Sequence, residues 1–274
     1  LHGRVAAFMS EVNFGCRLKA AESAAIAALL GDDGRTIEVN TLAGLSALET
    51  LIIVADKLTS IHSAALKELT SLKCLEIDAP TLTSSIAEPP IFNSLGLLEE
   101  LTLRYVKLSL VNNLARAFRG LAKLKKLSLD HNDLTNLNFL SAEPGCLAGL
   151  AELQIDGNDI GLIKPDTFSN QAALETLSVS GNVRLAKVNT KAFGHMAKLK
   201  CLSLEQNNIR TIYLHFLNDL AALETLVLSG NPIGRVEWEK SQKCVSQLKN
   251  LYFDGDQTAL FVPLLRDLPN LKTI

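Results

Sequence analysis

The amino-acid sequence predicts an α/β repeat fold: a curved solenoid with a parallel sheet on its concave face and loops or short helices on its convex face. Three observations predict it. A leucine opens a new repeat every 23 to 26 residues through most of the 274-residue chain. Apolar residues follow it at fixed offsets, and an asparagine closes the pattern in the central repeats. The opening leucines are Leu48, Leu72, Leu98, Leu124, Leu150, Leu174, Leu199, Leu223, Leu248 and Leu271.

The first 40 residues lack the repeat and are predicted to form an N-terminal cap, residues 1–40. The segment FGCRL at 14–18 alternates like a strand, and KAAESAAIAALL at 19–30 has the composition of a helix. RTIEVN at 35–40 supplies a first short strand. Residues 41–274 then hold about nine repeats and the start of a tenth. Because the chain starts at Leu1 and stops inside a repeat, we expect a piece of a longer protein.

Each repeat opens with a short strand that is buried on one side. In the fourth repeat Leu127 and Leu129 are two residues apart, so both point to the same side of the strand. The asparagine follows where the chain leaves the strand, and its amide can satisfy main-chain groups of a tight turn. We therefore expect a structural ladder of stacked side chains, formed by Asn132, Asn158, Asn182, Asn207 and Asn231. Other residues replace the asparagine in the first three repeats and in the ninth, so the ladder is expected to break at both ends.

The return side of each repeat carries a large apolar residue six positions before the next opening leucine. Stacking of neighbouring repeats is expected to bury these side chains in one continuous spine, because a repeat this small cannot bury its apolar face alone. The spine residues are Leu66, Phe92, Phe118, Phe168, Phe193 and Leu217.

The pattern L-x-x-L-x-L-x-x-N-x-L is the signature of leucine-rich repeats. Repeats of about 24 residues with a phenylalanine on the return side resemble the typical animal class, which occurs in secreted proteins and receptor ectodomains. The resemblance implies a secreted or extracellular protein that binds a protein ligand or co-receptor in immune recognition or adhesion. Two alternatives stay open: a structural module that forms homo- or hetero-dimers through its ends or edge, and a cytoplasmic adaptor.

The cysteines bear on the choice between these compartments. The chain has five cysteines, and it contains no N-x-[ST] glycosylation sequon. Cys74 and Cys201 occupy the same strand position five repeats apart, about 24 Å at the spacing of neighbouring strands, which is too far for a disulfide. Both are therefore expected to be free thiols. Cys146 or Cys244 could pair with a partner chain or with a segment outside this sequence.

Function is expected where the repeat does not dictate the residue, on the concave face and its edge. The position six residues after each opening leucine is mainly acidic, and a basic notch at Arg104 lies beside it. This polar arc suits recognition of a protein surface. The alternatives are a merely solvated face, or a bound Ca²⁺ for which the calcium-loop spacing is missing. The candidate ligand-binding residues are Asp78, Arg104, Tyr105, Asp130, His131, Asp133, Gln154, Asp156, Asp159, Glu205, Tyr252 and Asp254.

Apolar side chains on the same face offer a second kind of contact. Ile52 and Val54 lie near one end and Val227 near the other. They could contact another chain, or they could pack against a cap or a flanking loop. The sequence gives no reason to choose between the two.

Composition and motifs exclude several classes of function. A net charge of -2 gives no general attraction to nucleic acid, so no nucleic-acid partner is expected. The longest apolar run, AAIAALL at 24–30, is too short to span a membrane. The histidines lack partners at metal-ligand spacing, and no serine lies in a G-x-S-x-G turn. We therefore expect no catalytic residues, no metal and no cofactor.

Overall fold

The computed structural model describes residues 35–82, 91–111, 113–143, 145, 147–238 and 247–274. The predicted cap strand at 14–18 and cap helix at 19–30 lie outside these residues. The chain divides into two compact units, an N-terminal unit of residues 1–133 and a C-terminal unit of residues 134–274. We describe each unit separately.

The N-terminal unit is built on four parallel strands in the order β2-β4-β5-β6. Their register places equivalent leucines side by side, because Leu51 pairs with Leu75 and Leu75 with Leu101. A separate two-stranded sheet joins β1 to β3. The elements are β1 Thr36–Ile37, β2 Thr50–Val54, β3 Ser60–Ile61, β4 Cys74–Asp78, β5 Glu100–Arg104, a 3-10 turn at Leu108–Leu110, helix α1 Leu114–Ala117 and β6 Lys126–Ser128.

The C-terminal unit repeats this plan with five parallel strands in the order β7-β9-β11-β13-β15. On the return side, β8 pairs with β10 and β12 pairs with β14. The strands are β7 Glu152–Gln154, β8 Leu162–Ile163, β9 Thr176–Ser178, β10 Lys187–Val188, β11 Cys201–Ser203, β12 Thr211–Tyr213, β13 Thr225–Val227, β14 Arg235–Glu237 and β15 Asn250–Tyr252. The 3-10 turns are Asn138–Leu140, Leu214–Asp219 and Gly255–Gln257, and helix α2 is Thr258–Leu265.

The core consists of the leucines that the repeat places inside each coil. Leu75, Leu127 and Leu202 are fully buried, as the alternation along each strand predicts. The phenylalanine spine is also buried, and in the C-terminal unit Phe168 stacks on Phe193 with ring centroids 5.8 Å apart. Phe216 also contacts Phe193, with ring centroids 5.2 Å apart and rings tilted by 60°, and the predicted spine residue Leu217 is buried as well. The predicted fold class, a leucine-rich-repeat solenoid with parallel strands and little helix, is confirmed.

Asparagine side chains join successive repeats at the turn after each strand. Asn182 Nδ2 donates to Ile155 O (3.1 Å), and Asn182 Oδ1 accepts from the main-chain N–H of Ile160 (3.2 Å). At the end of the series Gln257 Nε2 donates to Asn231 O (2.5 Å). The sequence pattern gave no reason to expect this glutamine, which satisfies the last turn. Equivalent bonds to a neighbouring repeat are made by Asn132, Asn158, Asn207 and Asn231.

The two described cysteines differ in chemical state. Cys201 is a buried free thiol, and burial raises its pKa to about 12. Cys74 is disulfide-bonded, so the expectation of a free thiol at this position is wrong. The argument from strand spacing excluded only a bond between Cys74 and Cys201. It did not exclude a bond from Cys74 to a cysteine outside the described residues.

Candidate functional site

Arg104 ends strand β5 and lies between two carboxylates of the N-terminal unit. Its Nη1 is 3.7 Å from Glu76 Oε1, and its Nε is 3.8 Å from Asp130 Oδ2. Asp130 is only 4% exposed and also accepts from Ser128 Oγ (2.9 Å). Burial raises the pKa of Glu76, and Asp78 acts in the same direction, whereas the Arg104 guanidinium lowers that pKa. The guanidinium therefore lies between carboxylates of the two neighbouring repeats.

Tyr105 and His131 form a stacked aromatic pair next to this guanidinium in the sequence. Their ring centroids are 4.9 Å apart and the rings are within 7° of parallel. Both residues take positive φ, 57° and 55°, which is unusual for residues that carry a side chain. The turn is held by the bond from Val106 N–H to Asn132 Oδ1 (2.8 Å). Tyr105 is 43% exposed and His131 is exposed, so the pair faces solvent.

Asp156 is the centre of a polar network in the C-terminal unit. Its Oδ1 accepts from Ser178 Oγ and from the main-chain N–H of Ser180, both at 2.7 Å. Its Oδ2 accepts from Gln154 Nε2 (2.9 Å). Ser180 Oγ lies 2.8 Å from Ser203 Oγ and extends the network to the next repeat. The carboxylate is therefore used as an internal acceptor.

The other acidic residues that were predicted to bind a ligand differ in their ion pairs, hydrogen bonds and burial. Asp159 pairs with Arg184 at 2.9 Å, and Asp254 accepts from the main-chain N–H of Gly230 at 2.9 and 3.1 Å. Asp78 and Glu205 are half-buried. Asp133 is exposed and takes φ 56°. The acidic column is thus largely neutralised or hydrogen-bonded within each unit. That these residues bind a ligand stays a prediction.

Tyr252 is not an exposed binding residue as the sequence pattern suggested. It is 8% exposed, and strand register places it beside Val227, which is fully buried. Equivalent residues of paired parallel strands point to the same side of the sheet, so the two side chains lie next to each other. Of the apolar side chains expected on this face, Val54 is 69% exposed and Ile52 is half-buried.

A groove on the return side of the C-terminal unit was not anticipated. It has a volume of about 630 Å³ and lies between β10 and β12. Leu162 and Tyr213, which are 44% and 42% exposed, line it together with Lys187 and Arg210. One sequence signal was available. The sixth repeat has an extra residue after its ladder asparagine, since Leu185 lies three positions after Asn182 where other repeats use two.

Neither a membrane-spanning helix nor a metal-binding cluster is present among the described residues. Within these residues no helix has the length and hydropathy needed to cross a bilayer. Across the same part of the chain, no cluster of three or more histidine, cysteine, aspartate or glutamate side chains is placed to hold a metal ion.

Two family models match the sequence. Residues 176–233 match a leucine-rich-repeat model, and residues 35–142 match the model of the BspA-type leucine-rich repeat region, which contains six copies. The chain is a leucine-rich-repeat protein. No curated protein matches its sequence at a significant level.

Solved structures similar to this leucine-rich-repeat protein include two complexes of larger proteins. One is TLR13 in complex with ssRNA13, at 22% identity and a TM-score of 0.69 over 81% of this chain. Another is the Drosophila Toll–Spatzle complex, at 18% identity and a TM-score of 0.56, also over 81% of this chain. The chain spans 31% and 35% of those two proteins. At these identities the similarity shows the fold. Because TLR13 was solved with RNA, the comparison gives no support for excluding nucleic acid.

Proposed function

We propose that this leucine-rich-repeat protein is a non-enzymatic recognition module of a secreted or receptor protein, and that it binds a protein ligand or co-receptor in immune recognition or adhesion. The fold supports the class, since repeat solenoids present extended binding surfaces. The disulfide at Cys74 supports a secreted or extracellular location, because such bonds persist in oxidising environments and are rare in the cytosol.

The observation that carries the proposal is the exposed Tyr105–His131 stack, which directly follows the ion-paired Arg104 in the sequence. Tyrosine and arginine are enriched among residues that dominate binding energy at protein interfaces. A surface whose side chains are already held in one geometry loses less conformational entropy on binding. We assign the binding surface of the N-terminal unit to Arg104, Tyr105 and His131, with Asp78 and Asp133 at its margin.

The test combines partner capture with a double variant of the aromatic pair. The immobilised chain captures partners from extracellular fluid of its source, and the affinity of each purified partner is then measured by biolayer interferometry. We expect Tyr105→Ala with His131→Ala to weaken binding by about tenfold or more, as for the loss of an interface hot spot.

A double variant of two exposed residues outside this surface and outside the groove, Leu97→Ala with His195→Ala, is the control. Circular dichroism of both variants checks that each is folded. Equal affinity of the parent and the Tyr105→Ala, His131→Ala variant for every captured partner would overturn the assignment of this surface. An equal loss of affinity in the control would also overturn it, because the effect would then not be specific to this surface.

Assembly is the second candidate function, and one observation favours it. Val54 is a large apolar side chain at the end of β2 that is 69% exposed. A self-associating protein would bury such a side chain against a second copy. Sedimentation of the parent and of Val54→Asp tests this: a concentration-dependent dimer in the parent that the variant abolishes would support assembly.

A further inference from the structure

The strands on the return side of the C-terminal unit pair in twos and leave a gap in the middle. β8 pairs with β10, and β12 pairs with β14, but no pairing among the described residues joins β10 to β12. The last main-chain bond between the two repeats runs from Asn208 N–H to Leu185 O (3.0 Å). Beyond that bond the chains separate and form the walls of the groove.

Main-chain groups of both walls face this gap. In a parallel strand, alternate residues bond to the same neighbour. Asn189 N–H donates to Ile163 O (3.0 Å), so the main-chain groups of Val188 point away from β8 and into the groove. On the other wall Arg210 O accepts from Arg235 N–H (3.3 Å), so the groups of Thr211 point away from β14. Unpaired strand edges of this kind are templates for an added strand.

The side chains that line the groove define the chemistry of such a strand. Lys187 and Arg210 are exposed, and neither has an ion-pair partner among the described residues. The lining includes no carboxylate. Leu162 and Tyr213 present large exposed apolar surfaces to the same space. The groove therefore combines two positive charges, apolar contacts and unpaired strand edges.

We propose that this groove binds an extended acidic peptide segment of a partner protein, which adds as a strand along β10 or β12. Main-chain hydrogen bonds hold the segment, alternate apolar side chains contact Leu162 and Tyr213, and its carboxylates pair with Lys187 and Arg210. An acidic occupant fits because two unpaired cations and no anion line the groove. The site uses none of the residues assigned above to the binding surface of the N-terminal unit, so either assignment can fail alone.

The experiment uses fluorescent peptides of about six residues, the usual length of a strand. The acidic probe alternates aspartate and valine, and a second probe replaces each aspartate with lysine. A third has the acidic sequence but methylated main-chain nitrogens on every second residue. Fluorescence anisotropy measures binding to the whole chain. We expect the acidic probe to bind, the lysine probe to fail, and methylation to abolish binding because strand addition needs main-chain N–H groups.

The variant Lys187→Glu with Arg210→Glu should weaken binding of the acidic probe by about tenfold, since two ion pairs become like-charge contacts. The charge-matched control, Lys198→Glu with Arg266→Glu, alters exposed cations outside the groove and should bind like the parent. Circular dichroism checks that both variants are folded.

Several outcomes would overturn the proposal. They are no binding of the acidic probe, equal binding by the groove variant, and full binding of the methylated peptide. A polyuridine strand that binds the parent and not the groove variant, while the peptide does not bind, would assign the groove to nucleic acid. Self-association that the groove variant abolishes without any peptide binding would assign it to a second copy of the chain.

Discussion

At the scale of single residues, the acidic side chains differ in how many hydrogen bonds they accept within the fold. Asp156 accepts three hydrogen bonds from its own unit, whereas Asp133 is exposed. A carboxylate that is the acceptor for internal donors contributes to stability, and its loss leaves those donors unsatisfied. An exposed carboxylate contributes little to folding and is available to a ligand.

This contrast gives a prediction for a matched pair of variants. Asp156→Ala should lower the free energy of unfolding by about 1–3 kcal/mol, because Ser178 Oγ–H and Ser180 N–H lose their acceptor. Asp133→Ala should change it by less than about 0.5 kcal/mol. Urea unfolding followed by circular dichroism measures both. Equal stability of the two variants would show that the Asp156 network adds nothing to the fold.

At the scale of elements, the buried spine should contribute far more stability than exposed apolar residues. Phe193 is fully buried, stacks on Phe168 and packs against the tilted ring of Phe216, whereas Leu97 is 38% exposed. Phe193→Ala should destabilise the chain by about 3–5 kcal/mol, because the cavity cannot close in a packed stack. Leu97→Ala is the control and should cost under about 1 kcal/mol. Thermal unfolding measures both, and similar losses would contradict a continuous spine.

The same scale shows why the sequence predicted the scaffold better than the site. Leu202, Asn182 and Phe193 meet equivalent neighbours in each adjacent repeat, so a period in the sequence is enough to place them. The surroundings of Tyr252 and of the stacked Tyr105 depend on which residue the adjacent repeat has at one position. The period of the repeat does not specify that residue. The Tyr252 prediction failed for this reason, since Val227 lies beside it.

Irregularities between repeats were harder still to foresee. The groove lies between β10 and β12. On the return side β10 pairs only with β8, and β12 pairs only with β14, among the described strands. The sequence contains its signal, the extra residue after Asn182, but a single added residue does not reveal which strands will lose their partner. Gln257 makes the last side-chain bond of the asparagine series. Its position depends on the local turn that leads into α2, so the repeat did not predict it either.

At the scale of the whole molecule, the state of the cysteines provides a test between an extracellular and a cytoplasmic protein. Cys74 is disulfide-bonded, whereas Cys201 is a buried thiol whose pKa burial raises to about 12. The thiolate is the reactive form, and at neutral pH the folded Cys201 is almost entirely the neutral thiol. Alkylation of the native chain should therefore leave both cysteines unmodified, for two different physical reasons.

Unfolding without a reducing agent separates those reasons. Denaturant exposes Cys201, returns its pKa toward the ordinary value and should allow complete alkylation, whereas the disulfide at Cys74 persists and blocks the reagent. The chain is purified from its source under acid quench. Mass spectrometry with peptide mapping then measures alkylation of Cys74 and of Cys201 independently. Alkylation of Cys74 before reduction would contradict the disulfide and favour the cytoplasmic adaptor. Protection of Cys74 until reduction, with Cys201 modified on unfolding, would support a protein that folds in an oxidising compartment.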